Sequence, residues 1–568
     1  MRTISFLIIL LFFKTTTFAQ KEKDIEFAEV PSIQTFEPNT QQITNLAITA
    51  QFWGFLKYHH PAVTSGNYDW DIELFKLLPN IITAKSDKDL SAALELFLDR
   101  LPQVKDCNSC NKPNELTVFK PNYGDLFTEK ILSKRLTEKI SFILNNAVIK
   151  KSHYVAITGD AGNPIFQNEK AYPDLKTPDA SYRLLALYRY WNAVNYFFPY
   201  RDVIEQDWNL VLKEMIPVFL NARNQTEYVA SALKLFASIN DAHAYFIGLN
   251  SVVDEFRGKN TLPFRAKFVQ EKLVVFDYFN DTDSIKSSFK KGDEIIEING
   301  EKVSNLIKKY QPFVAASNYE TKLRGLPLAF LMRSNDKVMH LVTRRGTLET
   351  IHKCTLIDYN STYNTKKTDI KPYKIINKNI GYVYPNTYKN KDLKTIEELF
   401  KQTKGMVIDM RSYPLESMPY TFGNYIKQHK TPFAKFTSGS IAKPGSFVFG
   451  NYLLNGGSKN SYKNKIIVIV DETTQSAAEF TTMAFQSSPN VKVIGSTTAG
   501  ADGTVSRILL PGGISTMISG IGIFYPDGTP TQRVGVKIDY PIKPTLKGIA
   551  DGKDELLEKA LELLEKGW

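Results

Sequence analysis

The chain is 568 residues long, 43% apolar and 12% aromatic, a composition that packs cores rather than staying disordered. That length allows three or four domains at ~100–200 residues each. The net charge is +12, but the lysines are scattered over many polar faces without interleaved aromatics, which argues against nucleic acid as a partner. Met1-Arg-Thr-Ile-Ser-Phe-Leu-Ile-Ile-Leu-Leu-Phe-Phe13 has a positive start and an apolar run, and Ala19-Gln20 offers a small residue for cleavage. Residues 1–19 read as a signal peptide, too short to span a bilayer at ~20 residues. No cysteine follows to carry a lipid, and no later segment reaches spanning length. The expected product is exported, periplasmic or extracellular, with no membrane span.

Downstream, Phe52-Trp-Gly-Phe-Leu-Lys-Tyr-His-His-Pro61 aligns with Tyr190-Trp-Asn-Ala-Val-Asn-Tyr-Phe-Phe-Pro199 at an offset of 138. The same offset superposes Asp69-Trp70 on Asp207-Trp208 and Pro79 on Pro217. Each copy continues into an apolar helical segment, 90–101 and 228–239, so 40–105 and 176–250 read as two helical repeats. Only the second runs into Asn240-Asp-Ala-His-Ala-Tyr245; the first ends in Asp99-Arg-Leu-Pro102. His59 and His60 lie in the copy without that ending and read as packing residues. His153, His340, His352 and His429 sit in no motif. Between the copies, 106–175 is a connecting segment with a short strand and hairpin after His153. It also holds Cys107-Asn-Ser-Cys110, which reads as a local disulfide or loop thiols, since no βαβ context suggests redox chemistry. Too few ligands lie nearby for zinc, and no His-Glu-x-x-His occurs, so no metal and no organic cofactor is expected.

Residues 255–358 change to short alternating strands. Phe289-Lys-Lys-Gly-Asp-Glu-Ile-Ile-Glu-Ile-Asn-Gly-Glu-Lys-Val303 resembles the PDZ signature, which implies a domain that takes peptides by adding a strand to a sheet edge. From Gly381-Tyr-Val-Tyr-Pro385 to about Pro544, strands and helices alternate in a crossover α/β pattern, and 547–568 read as a C-terminal helix. Within 375–546, Gly405-Met-Val-Ile-Asp409 is a strand that ends in Asp409-Met-Arg411. Lys465-Ile-Ile-Val-Ile-Val470 is a second buried strand. Asp471-Glu-Thr-Thr-Gln-Ser-Ala-Ala-Glu479 follows it, with helical spacing beyond. Ser476 therefore stands at a helix N-terminus, where N–H groups and the dipole favour developing negative charge. A plain helix N-cap is the bland reading of such a serine. Glu479, one turn on, faces the same side.

Gln475-Ser-Ala-Ala-Glu479, with Gly495-Ser-Thr-Thr-Ala-Gly500 downstream, resembles peptidase family S41, the tail-specific or C-terminal-processing proteases. The resemblance implies an α/β multidomain chain with a ClpP/crotonase-like protease core, preceded by the PDZ-like domain and helical repeats. It implies a serine peptidase, with Ser476 as nucleophile, acting on unfolded or C-terminally exposed polypeptides; the oligomeric state is left open. The family's usual lysine base, in G-x-x-T-x-G-K-G, is replaced here by Ala501, 25 residues after the serine. A lysine-lacking branch, the tricorn-type core proteases, draws a histidine from an N-terminal helical subdomain through an S-H-A-Y-like motif. Asp241-Ala-His-Ala-Tyr245 is similar to it, so His243 is the candidate base, imidazole being suited by a free pKa of ~6.5. In the family, Glu479 and the Asp409/Arg411 pair support the site; a buried structural ion pair is the alternative. The family's oxyanion turn, R-x-N-x-G-G, reads Arg411-Ser-Tyr-Pro-Leu-Glu416 here. Proline cannot donate, so Ser412 or Tyr413 is the expected donor beside Ala477. Gln532, in Gly528-Thr-Pro-Thr-Gln-Arg-Val-Gly-Val536, stands where tricorn-type members supply a glutamate. A glutamine can orient an imidazole but cannot stabilise its cation. These departures leave two rivals: a pseudoprotease that binds peptides without cleaving them, and a carrier of apolar ligands, since a vertebrate retinoid-binding protein resembles the core.

Overall fold

A computed structural model describes residues 32–107, 116–159, 161–279, 282–364 and 370–568. The expected signal peptide and Cys110 lie outside the described residues; Cys107 is disulfide-bonded. The N-terminal half begins with α1 (Thr40–His59), α2 (Trp70–Thr83) and α3 (Asp87–Leu98). Asn39 starts α1 by accepting from Gln42 N at 2.9 Å, while the Gln42 side chain accepts from Asn39 N at 3.0 Å, which satisfies two donors that a helix start leaves open. Strand β1 (Thr117–Phe119) and the helices α4 (Ala180–Phe197), α5 (Trp208–Leu220) and α6 (Gln225–Ala237) follow. Trp53 Nε1 donates to Trp70 O and Trp70 Nε1 to Trp53 O, at 3.0 and 3.1 Å. The same reciprocal latch joins Trp191 and Trp208, at 2.8 and 3.1 Å. A buried indole needs a partner for its N–H, and each Trp here finds it in the other's backbone.

The middle of the chain forms an antiparallel sheet from β2 (Phe264–Val269), β3 (Lys272–Tyr278), β4 (Glu294–Ile298), β5 (Val338–Arg345) and β6 (Leu348–Thr355), with Glu301–Lys302 pairing to β4. The order is β6-β5-β4-β3-β2, so β2 is an edge strand, and α7 (Tyr319–Leu326) lies against it.

The last part holds a six-stranded sheet built from β7 (Tyr373–Ile376), β8 (Ile380–Val383), β9 (Gly405–Asp409), β12 (Lys465–Val470), β13 (Val491–Gly495) and β17 (Tyr540–Pro541), in that order. The pairs from β8 to β17 are parallel, and β7 is antiparallel at the edge. Both faces are covered, which explains strands that read as continuous apolar runs. Ile408, Val468 and Val470 pack with α8 (Ala477–Gln486), whereas Val407, Ile467 and Ile469 pack with Leu556, Ala560 and Leu564 of α9 (Glu555–Lys566). Regular strand–helix alternation fails between β9 and β12. There β10 (Thr431–Gly439) and β11 (Phe447–Asn455) form a long hairpin in a separate sheet of order β1-β11-β10-β16, with β16 at Gly522–Phe524. These strands are largely half-exposed, which a buried parallel crossover does not allow, so they lie outside the central sheet. A second hairpin, β14 (Val505–Leu510) and β15 (Ile514–Ser519), turns at Gly512 and Gly513, both at positive φ. Its Ile508, Leu510, Ile514 and Ile518 enter the same apolar cluster as the N-terminal helices, so the last part of the chain and the helical part share a core.

Candidate active site

β12 ends at Val470, and a short loop carries the chain to Ser476, directly before α8. Ser476 has φ 55° and ψ −121°, a conformation that a residue with a side chain rarely adopts. Three hydrogen-bond systems hold it there. Ser476 N donates to Ala501 O at 2.9 Å and to Glu479 Oε2 at 3.1 Å. Thr473 Oγ1 donates to Arg411 O and Thr474 Oγ1 to Met410 O, both at 3.0 Å, which tie the loop to the end of β9. Arg324 of α7 donates to Glu472 O and to Gln475 Oε1, at 2.7 and 2.8 Å. The sharp turn leaves Ser476 half-buried, its side chain in a capping box with Glu479, and Ala477 N at the start of α8 donates to no partner among the described residues.

Glu479 is fully buried and ties the serine turn to the segment that carries Ala501. Besides Ser476 N, it accepts from Thr498 Oγ1 at 2.5 Å, Gly500 N at 2.8 Å and Ala501 N at 3.0 Å. Burial pushes its carboxyl up, and the four donors pull it back part of the way. Ala501 is itself fully buried; of the lysines nearest in sequence, Lys492 pairs with Asp539 and Lys537 with Asp527.

The Asp409/Arg411 pair faces away from the serine turn. Arg411 grips Asp409 at 2.9 and 2.7 Å and Asp554 at 2.9 and 2.7 Å, while Tyr382 Oη donates to Asp409 at 2.7 Å. This network fastens the start of α9 to the sheet. Ser412 N points to Asp409 O at 3.4 Å, and its hydroxyl donates to the same carbonyl at 2.9 Å. Tyr413 N has no partner among the described residues, and the Tyr413 ring is exposed.

His243 lies on the turn after α6, buried, and reaches the other half of the site. Gln475, the residue before Ser476, donates through Nε2 to Ala242 O at 3.4 Å. His243 Nδ1 is 3.0 Å from Ser519 Oγ and 3.5 Å from Asp241 Oδ1, while Nε2 is buried without a partner. Asp241 also accepts from His243 N at 3.0 Å and from Ser519 N at 2.7 Å. Burial alone would raise its carboxyl, but the His243 ring and those two backbone donors outweigh burial and hold it below the ordinary range. Gln532 Nε2 reaches Asn240 O at 3.4 Å, and its Oε1 is buried and unpaired. Asp502, next to Ala501, is buried with Oδ2 unpaired, and burial followed by the Glu479 charge pushes it well up.

Ser519, the Asp241 carboxylate and Asp502 were not singled out from the sequence. Asp241 lay two residues from the chosen histidine, so its position carried a signal. Ser519 and Asp502 are brought in only by the β15–β16 turn and by the register of the Ala501 segment.

The model of peptidase family S41 matches residues 379–542. No curated protein matches the chain. Among solved structures, mature CPAF is similar with a TM-score of 0.52 at 12% identity, covering 68% of this chain and 98% of its own. Mature CPAF complexed with lactacystin gives 0.51 at 12%, covering 68% and 97%. At that identity the likeness is one of fold. Residues 379–542, which hold these strands, the serine turn and helix α8, are thus similar to peptidase family S41 in sequence pattern, and the chain is similar to CPAF in fold.

Proposed function

We propose that the chain is an exported serine endopeptidase acting on unfolded or C-terminally exposed polypeptides. Ser476 Oγ attacks the peptide carbonyl, and His243 Nε2 takes its proton and returns it to the leaving amine. The N–H of Ala477, with one from the 412–413 turn, faces the oxyanion. Because Ser412 N is directed at Asp409 O, Tyr413 N is the freer donor of the two. Glu479, Asp409 and Arg411 act by fixing the turns, and Gln532 by steadying the backbone before His243. The observation that carries this reading is the strained Ser476 turn hydrogen-bonded, through Gln475, to the loop whose His243 Nε2 is buried and unpaired.

Residues 255–358 are read as a PDZ-like, peptide-capturing domain. A groove of about 470 Å³ between the β2 edge, α7 and the loop at 471–473 supports this, because an extended peptide there can pair with the β2 edge beside Thr473, two residues before Gln475. Ser476→Ala should abolish cleavage of a denatured protein, a loss on the order of 10⁴–10⁶ in kcat, with thermal stability close to wild type. Retained cleavage by the alanine variant ends the reading. A wild type that binds denatured protein without cleaving it selects the pseudoprotease, which the occupied Ser412 N–H favours.

A further inference from the structure

An imidazole that serves as base needs its proton held on the other nitrogen and needs its cation stabilised once formed. Gln532 is neutral and cannot do the second. The groups on His243 Nδ1 are Ser519 Oγ at 3.0 Å and Asp241 Oδ1 at 3.5 Å. We propose that Asp241 and Ser519 are the positioning pair of this site, Ser519 holding the proton on Nδ1 and Asp241 balancing the imidazolium. This inference rests on the reading of His243 as the base.

An Asp two residues before another residue commonly forms a local turn by accepting that residue's N–H. Asp241 does so, from His243 N at 3.0 Å. A turn-former needs only one oxygen and no burial, however. Asp241 is fully buried, and its second oxygen accepts from Ser519 N, 278 residues away in sequence, at 2.7 Å. That bond places the Ser519 hydroxyl on the imidazole. The carboxylate and the hydroxyl therefore converge on one ring nitrogen from opposite parts of the fold. With the proton on Nδ1 donated to Ser519 Oγ, the lone pair is on Nε2, the nitrogen left buried without a partner. Proton transfer from Ser476 then breaks the Oγ–H bond and forms Nε2–H, and the positive charge appears 3.5 Å from Asp241. The other acidic groups of this region are differently placed. Tyr190 and Tyr200 are pushed far up by burial and stay neutral, and Asp502, also pushed well up, sits against Glu479 rather than against His243.

The test uses the full chain with carbon-13-labelled histidine, the His243 signal being assigned by its loss in His243→Ala. In Asp241→Asn the His243 titration midpoint should fall by one unit or more, because the charge that favours the imidazolium is gone. Its kcat on a peptide substrate should fall about 10²–10⁴-fold with KM within about threefold, and the acidic limb of kcat/KM should move down by the same interval. Ser519→Ala, which keeps the backbone donor to Asp241, should lower kcat about tenfold and carries the test if Asp241→Asn does not fold. An unchanged His243 midpoint with kcat within threefold of wild type, in either folded variant, overturns the proposal, since a purely structural role would change the melting temperature alone. A midpoint that falls in Asp241→Asn while the wild type itself shows no turnover supports the pair and removes the peptidase reading instead.

Discussion

Truncating Glu479 to alanine should unfasten the serine turn. The carboxylate, with no solvent exposure, accepts from three backbone N–H groups and one hydroxyl at 2.5–3.1 Å. A buried donor left without an acceptor costs about 1–3 kcal/mol. The space vacated by the side chain has room for water, which can recover roughly two of the four bonds. The two that remain broken set a loss of about 2–6 kcal/mol. For a unit of this size that corresponds to a fall in Tm of roughly 5–20 °C, readable by calorimetry. Because Gly500 N and Ala501 N are freed and Ser476 N keeps only Ala501 O, the strained backbone at 476 loses part of what imposes it, and reaction of its hydroxyl with a phosphonate should slow by at least ~100-fold. A Glu479→Ala protein that melts within about 2 °C of wild type would refute the view that this carboxylate fixes the turn.

Arg411→Ala leaves Asp409 buried with Tyr382 as its remaining side-chain donor, so a loss of about 3–5 kcal/mol and early proteolysis near Asp554 at the start of α9 are expected. Gly495→Ala should not yield folded protein: its φ is +129°, and a Cβ there would stand 1.8 Å from Val470 O, which urea unfolding or simple solubility will reveal. His59, stacked on Phe55, is lowered by burial to about 4. The unfolded chain then takes up the proton first, so stability is intact above pH ~6.5 and falls as pH drops towards 4, by at most about 3 kcal/mol. Urea titrations at pH 7 and 4.5 should show that slope in wild type and a flatter one in His59→Gln.

The strands at 405–409 and 465–470 and the helix after Ser476 were legible because β-branched runs and helical spacing are local signals, and the structure has them at those residues. The hairpin β10–β11 was not. Its irregular mix of apolar and polar residues is compatible with any half-exposed strand, and only the pairing of β1 to β11, across more than 300 residues of chain, shows which sheet it joins. In the candidate site, Ser476 and His243 stand in motifs that can be read one at a time. Ser519 is an ordinary serine at a strand end and acquires meaning only from a backbone bond to Asp241. Arg411 shows the converse: its spacing from Asp409 was visible, but Asp554, the partner that explains its orientation, belongs to a helix that sequence reading leaves unattached.

Covalent labelling of the full chain with an alkyl fluorophosphonate, located by peptide mass spectrometry, bears most directly on the serine chemistry. The expected result is a single adduct on Ser476, formed in wild type, lost in Ser476→Ala and slowed by at least ~100-fold in His243→Ala. No adduct, an adduct on another serine, or equal labelling of the His243→Ala protein would contradict it.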